Sequence, residues 1–304
     1  MPFRKLGDEN QLSGKQTFLR VENELSQLPA NFQLTKTLCD PKRFSGILIL
    51  DGKYVAVKNF KQKIPFIYGI DYLTHDIPDG DLYTAEDEAA FSQFFGKLKD
   101  LGYGLKIAVA DDRSGLKQAL NKVFPYTKLQ LCHNHFLENI RQALKVRTVP
   151  TYQHFFNSLR LHVFLAGTDE EKIAAGLKHV MDSHAQHSRL LQDILFGIRD
   201  RTDLFSCLKV PGCPDNTNLI ELYNSHLNGR LKTIKGFKSF EAARKWLNAY
   251  LIRRRTKPLT DCKVKFRHLN KHASLELTIK KQAHWPDILT KLGINKVNFF
   301  EKSD

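Results

Sequence analysis

A chain of 304 residues with 42% hydrophobic content can bury one large core or two small ones, which excludes a disordered tail. Its 47 lysines and arginines against 32 acids leave a net charge of +15, which predicts a polyanionic partner, nucleic acid or an acidic membrane surface. No run reaches the roughly 18–20 apolar residues of a membrane span, and MPFRKLGDENQLSGK lacks an apolar signal region, so the reading is a soluble, intracellular protein.

Residues 1–44 carry no strong period and include the breakers Gly14, Pro29 and Pro41, which predicts a loosely packed helical lead-in. From Gly46 the texture becomes β-rich, and the turn-prone Asp51-Gly52 predicts adjacent antiparallel strands near 46–51, 53–60 and 65–73. Residues 84–101 place Ala90, Phe91, Phe94, Phe95 and Leu98 on one helical stripe, with Thr84 as the expected cap. LKIAVAD (105–111) reads as a buried strand, SGLKQALNKVF as a short helix, TKLQLC (127–132) as another strand and HNHFLENIRQALKV as a helix. The order β-β-β-α-β-α-β-α makes the chain an α/β protein with strands 46–51, 105–110 and 127–132 in one mixed sheet flanked by helices.

Over residues 146–213 the strand signal disappears and apolar positions recur at three and four, which predicts an all-helical insertion. After the breakers Pro211, Gly212 and Pro214, Ile220, Tyr223, Leu227, Leu231 and Ile234 form the apolar stripe of a well-patterned helix within the segment 214–256. A further helix is expected over 239–252. Residues 257–304 are basic and irregular, with a short helix near Trp285.

Asp51 and Asp111 each close an apolar run, and carboxylates at the ends of core strands, with a third from a helix, make an oxygen-rich site suited to Mg²⁺. Aspartates also simply end strands and start turns. Glu221 is the natural third carboxylate, yet Asn218-x-x-Glu221 equally matches a capping box. Cys132-His133-Asn134-His135 has metal-ligand spacing at Cys132 and His135. Zinc, however, needs four ligands, and only a fold-back of Cys207 and Cys213 would complete a set, so zinc is not expected. Cys39 and Cys262 have no Cys-x-x-Cys partner either, and a disulfide framework is not indicated. No Walker loop, Gly-x-Gly-x-x-Gly or Gly-x-Ser-x-Gly occurs. Basic residues gather after Glu221, at Lys232, Lys235, Lys238, Arg244, Lys245, Arg253, Arg254 and Arg255, interleaved with Phe237, Phe240, Trp246 and Tyr250. Such a surface suits a phosphodiester backbone, with a solvated basic helix face as the plainer reading.

ILILDGKYV around Asp51, AVADDRSGLKQAL with its D-x-x-x-G-L spacing, LQLCHNH and NTNLIELYNSHLNGRL, taken in that order, resemble the DDE transposases of bacterial insertion sequences, in particular the Mutator-like group. The resemblance spans about residues 45–275 and extends to GFKSF and DCKVKFRHLNKHASLELT. It implies an RNase H-like catalytic core in two parts, 45–145 and 214–256, interrupted by the helical insertion. It implies Asp51, Asp111 and Glu221 as a catalytic triad holding two Mg²⁺ or Mn²⁺ ions, with Cys132 and His135 packed or hydrogen-bonded nearby. Asp112 competes with Asp111, and the spacing to Gly115 favours Asp111. The implied activity is strand cleavage and strand transfer on double-stranded DNA, at element ends and target, by a homodimer in the bacterial cytoplasm, associated with the nucleoid and away from membranes. Residues 1–44 lack the zinc-ribbon spacing or helix pair with which such proteins read element ends. That leaves a shortened copy, one part of a split frame, or a core that relies on its basic surfaces. A catalytically silent nucleic-acid-binding protein and a nuclease outside transposition share the same pattern.

Overall fold

The computed structural model describes residues 11–291 apart from 168, 185, 187 and 235. One sheet holds five strands, β1 (Ile47–Val55), β2 (Ile64–Asp71), β3 (Gly80–Leu82), β4 (Ile107–Ala110) and β5 (Lys128–Leu131), in the order β3-β2-β1-β4-β5. β1, β2 and β3 are antiparallel neighbours, whereas β1, β4 and β5 run parallel. Parallel neighbours need crossovers, which α3 (Glu88–Asp100) and α4 (Leu116–Val123) supply after α1 (Gly14–Gln27) and α2 (Asn31–Leu38) have opened the chain. The sheet has the α/β RNase H-like arrangement, an antiparallel meander extended by parallel strands.

The expected turn at Asp51-Gly52 does not form. β1 runs unbroken through it, with Asp51 paired to Tyr68 and Gly52 to Ile67, and the chain reverses over residues 56–63 instead. The register explains why. β2 supplies a continuous antiparallel partner from Leu48 to Val55, and eight ladder positions outweigh the turn preference of one dipeptide. A short third strand, β3, also lies where no strand was expected. Asp87 caps α3 in place of Thr84, its carboxylate accepting from the Ala90 N–H immediately at the helix start.

Alternate residues of β1 face opposite cores, as the two-residue period of a strand requires. Ile47 and Ile49 join Val109, Phe66, Tyr223, Leu227 and Leu251 beneath α9 (Asn218–Leu231) and α10 (Phe240–Thr256). Leu48 and Leu50 join Phe91, Phe94, Leu120 and Leu131 on the other face. That second core continues into Phe155, Leu159, Val163, Val180 and Leu195, so the helical stretch formed by α5 (His133–Ala143), α6 (Pro150–Leu159), α7 (Glu170–His184) and α8 (Arg189–Asp200) packs on the sheet. No strand occurs between residues 150 and 205 among the described residues. Beyond α10 the described residues form a 3-10 turn (Val264–Leu269) and the short helices α11 (Ser274–Thr278) and α12 (Asp287–Lys291). No helix is long and apolar enough to cross a membrane among the described residues.

Candidate functional site

β1 and β4 pair in register, Ile47 with Ile107 through Ile49 with Val109, and the same offset carries Asp51 alongside Asp111. Asp51 therefore sits inside a strand, beside the point where β4 stops, and Asp111 is the first residue beyond β4. Burial, then the charge of Asp111, pushes the Asp51 carboxyl up to about 6, while the Gly52 N–H at 2.8 Å opposes the shift. The other Asp51 oxygen accepts from the Asn224 side-chain amide at 2.6 Å, and Asn224 in turn accepts from the Tyr68 hydroxyl at 2.9 Å. Asn224 is one turn past Glu221, so this bond pins the helix carrying the third acid to the strand carrying the first.

The four residues Cys132–His135 all reach the segment that leads into that helix. Cys132 Sγ lies 3.2 Å from the Thr217 hydroxyl oxygen, and the His133 N–H donates to the Asp215 carbonyl at 2.8 Å. The Asn134 amide donates to the Asn218 side chain at 2.8 Å. His135 Nδ1 lies 2.6 Å from Asp111 Oδ1, 3.3 Å from Cys132 Sγ and 3.8 Å from Glu221 Oε1. The Asp111 carboxylate, then Cys132, raises the His135 imidazole to about 10, which makes it a cation at neutral pH. One nitrogen thus touches both of the other acids.

Asp111 is the more enclosed of the two, its side chain 14% exposed against 46% for Glu221. Asp111 Oδ1 is buried, and the charged His135 nitrogen at 2.6 Å is the group that faces it. Asp112 points elsewhere. Its carboxylate pairs with Arg201 at 2.8 Å, at the end of the helical stretch. Gly115 explains the spacing that separates the two aspartates. It has φ of +80°, and a Cβ there would stand 2.4 Å from the Glu88 backbone nitrogen, so the loop closes onto α3 only with glycine.

The capping box expected at Asn218 is not built. Thr217 is the residue before α9, and its hydroxyl donates to Glu221 Oε1 at 3.0 Å, so the Glu221 carboxylate faces Thr217 and His135 rather than the helix backbone. The fold-back of Cys207 and Cys213 onto Cys132 does not occur either. Asp111, Cys132 and His135 are the group whose ligand atoms converge among the described residues. Glu86 is a fourth carboxylate at the site that the sequence reading missed. It accepts from the Tyr54 hydroxyl, its other oxygen is buried without a donor, and a Cβ on Gly52 would meet it at 2.3 Å. The acidic run around it was its only sequence signal, and that run reads as a helix start. Asn224 and Tyr68 were missed as well, although Asn224 sits one helical turn from Glu221.

The basic residues scatter. Arg255 leaves the DNA-contact set, since its side chain is 0% exposed and its guanidinium is paired with Asp76 at 2.7 Å. Arg244 is bound by both oxygens of Asp81, Lys245 lies 3.9 Å from Glu241, and Arg254 stacks 4.4 Å over the Tyr223 ring. Lys238 lies 4.9 Å over the Phe18 ring, while Lys232 and Arg253 are exposed. Lys235 lies outside the described residues.

A family model described as Transposase, Mutator family, matches residues 40–256. The transposase for insertion sequence element ISRM5 of Rhizobium meliloti is 33% identical over 98 residues, 30% of this chain and 25% of that protein. The transposase for insertion sequence element IS256 in transposon Tn4001 of Staphylococcus aureus is 25% identical over 176 residues, 56% of this chain and 44% of that protein. The chain spans less than half the length of these curated relatives. Among solved structures, the Drosophila P element transposase strand transfer complex aligns with 94% of this chain and 68% of its own at 11% identity and a TM-score of 0.32.

Proposed function

The chain belongs to the Mutator family of transposases, and from that membership we propose that it cuts DNA at the ends of a mobile element and joins them to a target by metal-dependent phosphoryl transfer. The observation that supports the reading is His135 Nδ1, 2.6 Å from Asp111 and 3.8 Å from Glu221, with Asp51 on the strand next to Asp111. The three carboxylates fit Mg²⁺ or Mn²⁺, because all three groups are hard oxygen donors. Asp111, Cys132 and His135 alone are one protein ligand short of a closed structural zinc site. Two such ions, when bound, stabilise the entering and leaving oxygens of an in-line displacement.

The protein's own residues prepare that place. Asn224 fixes the rotamer of Asp51, the Cys132–Asn134 contacts hold the approach to α9, and His135 supplies positive charge between Asp111 and Glu221 in the metal-free chain. Water and then a DNA 3′-OH serve as nucleophiles, so no side chain need become covalently attached. The partner is double-stranded DNA, held by a homodimer that pairs two ends, in the cytoplasm in association with the nucleoid.

The test is nicking of DNA carrying the sequences that flank the gene, in Mg²⁺ or Mn²⁺. Asp51→Asn, Asp111→Asn and Glu221→Gln are each expected to lose at least 10²-fold in cleavage rate while keeping DNA affinity. Full cleavage by Glu221→Gln would reject the triad.

A further inference from the structure

The basic surface nearest the carboxylates is one that the charge run after Glu221 does not include. The reversal between β1 and β2 carries Lys58, Lys61 and Lys63, all exposed and none ion-paired among the described residues. This tip is anchored rather than free. Val57 bridges to Phe237, the Lys58 N–H donates to the Phe237 carbonyl at 2.8 Å, and the Phe60 ring lies 6.2 Å from that of Phe240. Three like charges are therefore carried on one short anchored turn, where an anion is favoured.

Between this tip and α9 runs an open groove of about 700 Å³. Tyr54 and Lys63 stand on one wall, and Ser225, Asn228 and Lys232 on the other. No acid lines the groove among the described residues. On its far wall Ser225, Asn228 and Lys232 recur at three and four and together span about 10 Å along the helix axis. At 3.4 Å per base step that is room for about three steps of one strand. Glu221 stands one turn before Ser225 on α9, and Tyr54 donates to Glu86 beside Gly52, so this end of the groove lies toward the acids. Hydroxyl, amide and ammonium donors with no carboxylate are the chemistry that contacts phosphate and sugar. The arginine run 253–255 lies elsewhere. Asp76, which holds Arg255, follows β2 past the level of Leu48, at the opposite end of the sheet from Asp51.

We propose that this groove, with Lys63 of the hairpin tip and Lys232 of α9 on its two walls, grips the backbone of the DNA strand beside the scissile phosphate without reading its sequence. The inference rests on the transposase reading and adds to it where the strand lies. Lys58 and Lys61 extend the grip along the duplex, and the half-exposed Tyr54 ring offers a stacking face where the strand meets the acids.

The experiment is fluorescence anisotropy with an unrelated 30-base-pair duplex over a salt series, comparing wild type with Lys63→Ala/Lys232→Ala and with Arg253→Ala. Losing two phosphate contacts should lower the slope of log K against log salt by about 2 in the double variant, and leave it unchanged in Arg253→Ala. Lys63→Arg/Lys232→Arg, which keeps the charge, should restore the wild-type slope, and this separates lost contacts from a damaged fold. A double alanine variant with the wild-type slope overturns the groove assignment while leaving the transposase reading intact. A wild-type chain that binds no duplex removes that reading and the groove with it.

Discussion

The two ends of the sheet hold charged groups of similar kind in opposite conditions. At the end beyond β2, the Arg255 guanidinium spends all five of its N–H groups on Asp76, Asn31, Thr35 and Cys39, and Asp76 also accepts from Ser274 and Thr278. At the end beyond β4, Asp51, Asp111, Glu221 and Glu86 gather four carboxylates, with His135 at 2.6 Å and Arg113 at 3.6 Å from Asp111 as their cations. Saturation marks a structural network, which ties α2, α10 and α11 to the sheet. At the other end the carboxylates outnumber the cations that face them, which is the condition a bound cation relieves. The contrast also separates two sets of basic residues that the sequence runs together.

The comparison breaks first at Arg255. Replacing it by alanine leaves Asp76 charged, buried and unpaired, so the variant should lose about 3–5 kcal/mol of stability in urea titration. A variant as stable as wild type, with weakened DNA binding instead, would return Arg255 to the binding surface. At the same end, burial lowers the His75 imidazole to about 4. The unfolded chain binds the extra proton between pH 6.5 and 4, so stability falls as pH falls through that window, by up to about 3 kcal/mol. His75 has φ of +57°, which asparagine tolerates, and His75→Asn should flatten the loss between pH 7 and 4.5. An unchanged acid limb would show that His75 is not the titrating group.

At the other end, neutralising an acid should do the reverse of what it does at Asp76. Asp51 is raised to about 6, so the stability it contributes is present below about pH 4 and lost as pH rises through 6. Metal-free Asp51→Asn should therefore be more stable than wild type by about 1–2 kcal/mol at pH 8, with the gain fading as pH drops to 4. A destabilised variant at pH 8 would mean that the Asn224 and Gly52 hydrogen bonds outweigh the repulsion. The smallest effect belongs to Asp112→Asn, which removes a half-exposed pair with Arg201: about 0.5 kcal/mol in stability and cleavage retained. Loss of cleavage there, with Asp111→Asn active, would exchange the two aspartates.

Much of this was legible in residue order. The continuous apolar runs at 47–50 and 107–110, the three-four stripes of α3 and α9, and the acids that close or border them each follow from local covalent geometry, which a sequence records directly. The motif Cys132–His135 was legible as a motif, and its distance from Glu221 in the chain hid its purpose. Only folding brings residue 132 to residue 217 and residue 224 to residue 51.

The sequence by itself determined the α/β order, the helical stretch before the third acid and the identities of the residues that meet, because hydrophobic period and turn chemistry act over a few neighbours. Tertiary structure alone decided that Asp51 lies within a strand, that Glu221 turns from the helix backbone toward His135, that Glu86 joins the acids and that Arg255 is buried while Lys63 faces a groove. Burial and pairing are properties of what packs against a side chain. A lysine or arginine looks the same in a sequence whether its partner is water, a phosphate or an aspartate 179 residues away.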